Sequence, residues 1–212
     1  MPIYQLDERL WFPSADEASD SDIVAIGGDL SADRLLLAYS QGIFPWYNEE
    51  EPIIWWNPRY RMVVKPHEVK VSKSTRNLLN RKNFEIRLNT CFEEVIKKCQ
   101  TVKRKGQEGT WLNDELMASA IQLHRLGYAY SFEYFENNKL KGGLYGIKMG
   151  DIFCGESMFS EVSNASKITF IHMCRYMGKQ GVKLIDCQIH NHYLEQLGAY
   201  EIPREAFMEY LK

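Results

Sequence analysis

The chain has 212 residues, 45% of them hydrophobic, enough to bury a core in one large domain or two small ones. No apolar run approaches the length of a membrane helix, and the opening MPIYQLDERL lacks the basic start and apolar stretch of a secretion signal. Five cysteines without CxxC spacing read as reduced thiols of a cytoplasmic protein, and a net charge of −2 offers no whole-chain argument for a polyanionic partner.

Residues 1–62 are punctuated by turns: Phe12-Pro13-Ser14, Gly27-Gly28-Asp29, Gly42–Trp46 and Asn57-Pro58-Arg59. One helix is expected there, capped by Ser31, with Asp33 in its first turn and Gly42 stopping it. From about residue 63 the pattern changes to alternating strands and helices. Arg61–Lys65 reads as a strand, Ser72 caps a helix running to about Lys82, and Phe84–Leu88 alternates as a strand. Thr90-x-x-Glu93 is a capping-box signal for a helix to about Cys99, and Asn113 caps another that Gly127 ends. Three strand-like runs follow, Tyr128–Phe135, Leu140–Met149 and Ile152–Met158, separated by Asn137-Asn138 and Gly150-Asp151. A helix from Ala165 to Gly178, a strand Lys183–Gln188 and a short helix near Asn191–Leu197 complete an α+β pattern.

Charge is segmental. Residues 1–58 sum to −9, residues 59–105 to +10 and residues 106–212 to −3. A basic block between acidic flanks is the footprint of a polyanion contact, although a solvated lysine-rich face accounts for it equally well.

Ten short segments then occur in order: GGDL (27–30), GIFPW (42–46), WWNPR (55–59), GTW (109–111), GGLYG (142–146), FCGESMFS (153–160), NASK (164–167), LIDCQ (184–188), LGA (197–199) and IPR (202–204). Together they resemble the leucyl/phenylalanyl-tRNA–protein transferase family over nearly the whole chain. The resemblance implies a small N-terminal domain, residues 1–62, joined to a GNAT-like acyltransferase domain, residues 63–212, whose central mixed β-sheet is flanked by helices. It implies a reaction too. The α-amine of an acceptor protein or peptide beginning with Arg or Lys attacks the ester of leucyl-tRNA or phenylalanyl-tRNA (or a Met ester), creating an N-terminal degradation signal. The ester is already activated, so no cofactor and no metal are expected; the enzyme is expected to be a monomer away from membranes.

Asp186 and Gln188 lie two apart on an expected strand, which puts both side chains on one face; a carboxylate and an amide on an apolar strand need partners or a task. The resemblance makes them, with Glu156, the catalytic group, and the sequence leaves open whether Asp186 or Glu156 meets the amine. Leu144, Phe153, Met158, Phe170, Met173 and Ile185 are the expected slot for the donor side chain, although apolar strand residues are ordinarily core. Trp46 and Trp111 are candidate stacking surfaces for the terminal adenosine, with Tyr39 lining the same mouth. Lys73, Arg76, Arg81 and Lys82, together with Lys103-Arg104-Lys105, are the expected tRNA-backbone contacts. Ala120 and Tyr193 depart from the family pattern, which often carries Tyr and His there.

Two rival readings stand beside this one. An acetyl-CoA-dependent N-acetyltransferase usually carries a glycine-rich pyrophosphate loop at a helix start, and Glu161–Ser166 contains no glycine. A non-catalytic RNA-binding module suits the basic block but gives Asp186, Gln188 and Glu156 nothing to do. His190-x-His192 is the one metal-like spacing, and Cys187 beside Asp186 the one nucleophile-like thiol. If the basic helix carries the phosphate contacts, substituting Arg76 and Arg81 flattens the salt dependence of tRNA binding by about one to two counterions; a filter-binding titration over salt concentration reads that slope.

Overall fold

The computed structural model describes residues 3–14, 21–48, 50–81, 83–102 and 112–212. The turn-rich N-terminal segment holds more than the single helix expected of it. Four short strands, β1 (Tyr4–Leu6), β2 (Ile23–Gly27), β3 (Phe44–Pro45) and β4 (Ile54–Trp56), form a sheet in the order β1-β2-β4-β3. Strands of two to five residues fall below the reach of a periodicity argument, and the flanking glycines and prolines hide them further. The expected helix is there as α1 (Ala32–Ser40), with Ser31 Oγ accepting from the Arg34 amide. Trp55 pins the sheet: it is fully buried, donates from Nε1 to the Gly27 carbonyl at 2.8 Å, and meets Phe12 edge-on.

The larger sheet has seven strands in the order β11-β5-β10-β9-β8-β7-β6. They are β5 (Tyr60–Val64), β6 (Glu85–Leu88), β7 (Ala129–Glu136), β8 (Lys139–Met149), β9 (Ile152–Ser160), β10 (Leu184–Gln188) and β11 (Tyr200–Pro203). All neighbours run antiparallel except β9 and β10, which are joined by α5 (Ala165–Lys179) and run parallel, as a crossover connection requires. Around the sheet lie α2 (Lys73–Leu79), α3 (Phe92–Thr101), α4 (Asp114–Arg125), α6 (His192–Gln196) and α7 (Arg204–Met208). This is the α+β arrangement, a central mixed sheet flanked by helices, expected of a GNAT-like acyltransferase.

Ser72 and Asn113 cap α2 and α4 through bonds to the Thr75 and Leu116 amides. The capping box at Thr90 does not form. Cys91 is the N-cap of α3 and makes no side-chain cap bond. Thr90 instead gives its amide and hydroxyl to Glu133, a fully buried carboxylate that also accepts from Ser131 Oγ at 2.6 Å. A buried charge needs every donor within reach, and that demand outbids a local cap. β11 and α7, absent from the sequence reading, lie beyond its last expected element.

One apolar core runs through both sheets: Leu30, Leu35, Phe44 and Trp55 belong to the same buried cluster as Val63, Tyr145, Cys154 and Phe207. A second cluster, with Met62, Phe153, Phe170, Met173 and Ile185, fills the space between the large sheet and α5.

What positions the site is a split in the large sheet. β9 and β10 pair only from Leu184 opposite Ile152 to Asp186 opposite Cys154. Beyond that point both strands are irregular. Gly146 faces Gly155 and Tyr145 faces Ser157, so Glu156 is the extra residue of a bulge in β9. Val63 faces Asp186 and Met62 faces Gln188, so Cys187 is the extra residue of a bulge in β10, and Gln188 takes a left-handed φ of 66°. The expectation that Asp186 and Gln188 share a face by simple alternation does not hold, because the register shifts between them. Gly146 makes the first bulge possible: a Cβ there would collide with the Cys154 carbonyl oxygen and lie 2.6 Å from the Phe153 ring. Gly146→Ala therefore destabilises the fold by about 2 kcal/mol or more, read from urea unfolding at constant m-value.

Candidate active site

Beyond the β9–β10 split lies a cavity of about 280 Å³. Leu144, Met158, Phe170, Met173 and Ile185 form its apolar walls, all residues marked in the sequence, and Trp46, 37% exposed, stands among the lining residues. Trp46 is tied to the N-terminal sheet by Trp56, whose Nε1 donates to the Trp46 carbonyl at 2.6 Å and whose ring lies 5.5 Å away. Phe153 is not part of the wall. It is fully buried behind it, edge-on to Phe132. Phe44, Tyr145, Asn191 and Leu194 line the cavity without having been marked; Asn191 also caps α6.

The polar groups gather on one side. Gln188 Nε2 donates to Glu156 Oε1 at 3.1 Å, so the two bulges meet through their side chains. The Tyr39 hydroxyl also hydrogen-bonds Glu156. Tyr39 is buried rather than at the mouth beside Trp46, and reaches the site from beneath through that carboxylate. Burial pushes the Glu156 carboxyl up to about 8, helped by the nearby Asp186 charge and opposed by the Tyr39 and Gln188 hydrogen bonds and by Arg61. Glu156 as a residue is half-buried and lines the cavity, while its carboxyl group is the part that burial desolvates.

Asp186 is fully buried and fully engaged. Arg61 Nε donates to Oδ1 at 2.8 Å and Nη2 to Oδ2 at 2.7 Å, the two-pronged geometry of an arginine–carboxylate pair. The Gln188 amide adds a bond to Oδ1 at 2.8 Å, and the Cys154 thiol a further one. Arg61, missed in the sequence, has a signal there: a lone cation in Tyr60–Val64, an otherwise apolar strand, demands a buried anion, as Asp186 demands a cation. The Cys187 thiol lines the cavity, but burial drives it toward the protonated form, opposite to what a nucleophile needs.

Lys73, Arg76 and Arg81 are exposed on and just after α2, and none is in an ion pair with another described residue. α2 packs against the start of α5, where Leu78 and Leu79 meet Ala165 and Ile168. Trp111, Lys82, Lys103, Arg104 and Lys105 lie outside the described residues. Among the described residues no group of three or more His, Cys, Asp and Glu is placed to hold a metal ion, and no helix is long and apolar enough to cross a membrane.

Residues 63–212 match the family model for leucyl/phenylalanyl-tRNA protein transferase, and residues 28–59 match the model of its N-terminal domain. A leucyl/phenylalanyl-tRNA–protein transferase of Flavobacterium johnsoniae is 51% identical over 210 residues, covering 99% of each chain. The chain belongs to the leucyl/phenylalanyl-tRNA–protein transferase family. It is an aminoacyltransferase by that membership. A relative of the same name from Chromobacterium violaceum is 47% identical over 203 residues, covering 95% of this chain and 87% of its own. Among solved structures, FemX is matched at a TM-score of 0.52 and 10% identity, covering 81% of this chain and 66% of FemX. A conserved protein of unknown function from Bacteroides thetaiotaomicron is matched at 0.51 and 12%, covering 73% and 55%. At such identities the likeness is one of fold alone.

The raised carboxyl makes the transferase's stability depend on pH. Folded Glu156 holds its proton up to about 8, whereas the unfolded group releases it near its ordinary 4.5. Between those values the native state binds more protons than the unfolded state, so stability falls as pH rises. Glu156→Gln removes that contribution. Urea unfolding across the window should show a shallower decline in the variant than in the parent.

Proposed function

We propose that the transferase moves leucine, phenylalanine or methionine from aminoacyl-tRNA to the N-terminal Arg or Lys of an acceptor protein, with the donor side chain in the cavity and Glu156 receiving the amine. The observation that carries this reading is the pairing of an apolar cavity of about 280 Å³ with a lining carboxylate that burial destabilises. Pockets that hold small ligands combine mostly apolar walls with a few placed polar groups. Two methionines, Met158 and Met173, give those walls the adaptability that several donor side chains require.

The chemistry needs a neutral amine. A free α-ammonium has a pKa of about 8, so Glu156, ionised in growing fraction as the pH approaches about 8, is matched to it and in that form takes its proton with little uphill cost. The nitrogen lone pair then attacks the ester carbonyl carbon, the C–N bond forms, and the C–O bond to the ribose breaks. The departing ribose oxygen takes up the proton that Glu156 collected, and the carboxylate so regenerated takes the second proton from the new amide nitrogen and passes it to water. Gln188, bonded to Glu156, holds that carboxylate toward the incoming amine. Asp186 acts through position: its oxygens are occupied by Arg61 and the Gln188 amide, which argues against a second base. The exposed cations of α2 serve the tRNA backbone, whose phosphates fix register without reading sequence. The chain works as a monomer in the cytoplasm, and the divisions 1–62 and 63–212 act as lobes sharing one core.

Incubation with radiolabelled leucyl-tRNA and a peptide beginning with Arg should place label on the peptide; a peptide beginning with Glu should remain unlabelled. Glu156→Gln should lower kcat about 100-fold, the usual order of a proton-transfer contribution. Label appearing equally on both peptides, or an unimpaired Glu156→Gln, would refute the respective assignment.

A further inference from the structure

We propose that Arg61 is a positioning residue for the transfer reaction, fixing through one guanidinium both the strand that presents Gln188 and the segment from Gly42 to Trp46 that also lines the cavity. This rests on the reading of Glu156 and Gln188 given above. Every nitrogen of the guanidinium makes a hydrogen bond. Nε and Nη2 hold Asp186, and Nη1 donates to the Gly42 carbonyl at 3.0 Å. The ring of Phe44 covers one face with its centroid 4.6 Å from Cζ, and that of Phe207 lies 4.5 Å away.

Each of those contacts leads somewhere. Asp186 Oδ1 accepts the Gln188 amide at 2.8 Å, which holds the residue in its left-handed conformation and aims its side-chain amide at Glu156. Phe44 lines the cavity itself, and Trp46 follows two residues later on the same loop. Gly42 has a φ of 72° and lies with its α-carbon against Phe207 and Met208, so the loop is seated on α7 where Arg61 grips it. Thus a cation 1% exposed, touching no cavity space, is bonded to both segments. The geometry also has an electrostatic consequence. The charges and dipoles around Glu156 are Asp186 and Gln188 from β10, Arg61 from β5, Tyr39 from α1 and Cys154 on its own strand. Arg61 offsets the Asp186 anion that opposes ionisation of Glu156.

Lysine cannot reproduce the fork: one ammonium cannot hold both carboxylate oxygens in a plane and the Gly42 carbonyl as well. Arg61→Lys should lower kcat roughly 10- to 100-fold while KM for aminoacyl-tRNA moves less than about threefold, since displacement of catalytic groups costs turnover more than binding. Should Arg61→Lys fail to fold, Phe207→Leu decides, because that ring touches the guanidinium but not the cavity; its kcat should fall about threefold or more at unchanged KM. Asp186→Asn leaves Arg61 charged and removes the opposing anion, so the acid limb of its kcat profile should move down by about half a pH unit or more. A purely structural pair would lower the melting temperature of Arg61→Lys and Phe207→Leu and leave their turnover in place. Turnover within about twofold of the parent in the folded variants would remove Arg61 from the reaction, and an unmoved limb would overturn the electrostatic part of the argument. Normal transfer by Glu156→Gln would instead sink the assignment of Glu156, and the Arg61→Lys and Phe207→Leu rates would still decide for Arg61.

Discussion

Everything at this site depends on one buried ion pair. Two charges taken out of water are costly, and their attraction offsets that cost only when geometry is close to ideal and the remaining hydrogen-bonding positions are filled. Arg61 and Asp186 meet both conditions, with three donors on the carboxylate from Arg61 and Gln188 and a carbonyl and two rings on the guanidinium. The pair therefore constrains geometry beyond its own contribution to stability. Either partner left alone would be an uncompensated charge in a core that runs through both sheets.

Around that fixed point the site separates two jobs that a sequence tends to merge. Asp186 and Glu156 are both acidic, both beside the cavity, and 30 residues apart in a chain with no obvious way to rank them. Their environments rank them. The first is closed off from solvent and bonded to an arginine; the second is bonded to neutral groups and pushed toward neutrality. Placing two carboxylates in such different surroundings is a recurring way for a protein to give them separate roles.

Much of this was legible in the residues. The caps at Ser31, Ser72 and Asn113, the three successive strands and the crossover helix followed from local chemistry, because each signal is satisfied within a few residues. Most of the expected apolar slot also came together around one cavity. What was not legible is what depends on distant partners. Arg61 and Asp186 lie 125 residues apart, so neither announces the other. Thr90 read as a helix cap until Glu133, on another strand, claimed its donors. The alternation argument failed at Cys187 because a period of two assumes an unbroken ladder, and nothing in LIDCQ marks the extra residue. The N-terminal strands escaped because each is too short to show any period.

The paired bulges carry a consequence for how such a pocket can change over evolutionary time. Glu156 and Gln188 point where they do because each strand contains one residue more than its neighbour. Deleting or inserting a single position in either strand would turn every later side chain to the opposite surface and pull carboxylate and amide apart together. Exchange of one apolar wall residue for another disturbs only local volume. Lineages can therefore tune which donor they accept by substitution, while the lengths of these two strands stay locked and variation in chain length is confined to the loops.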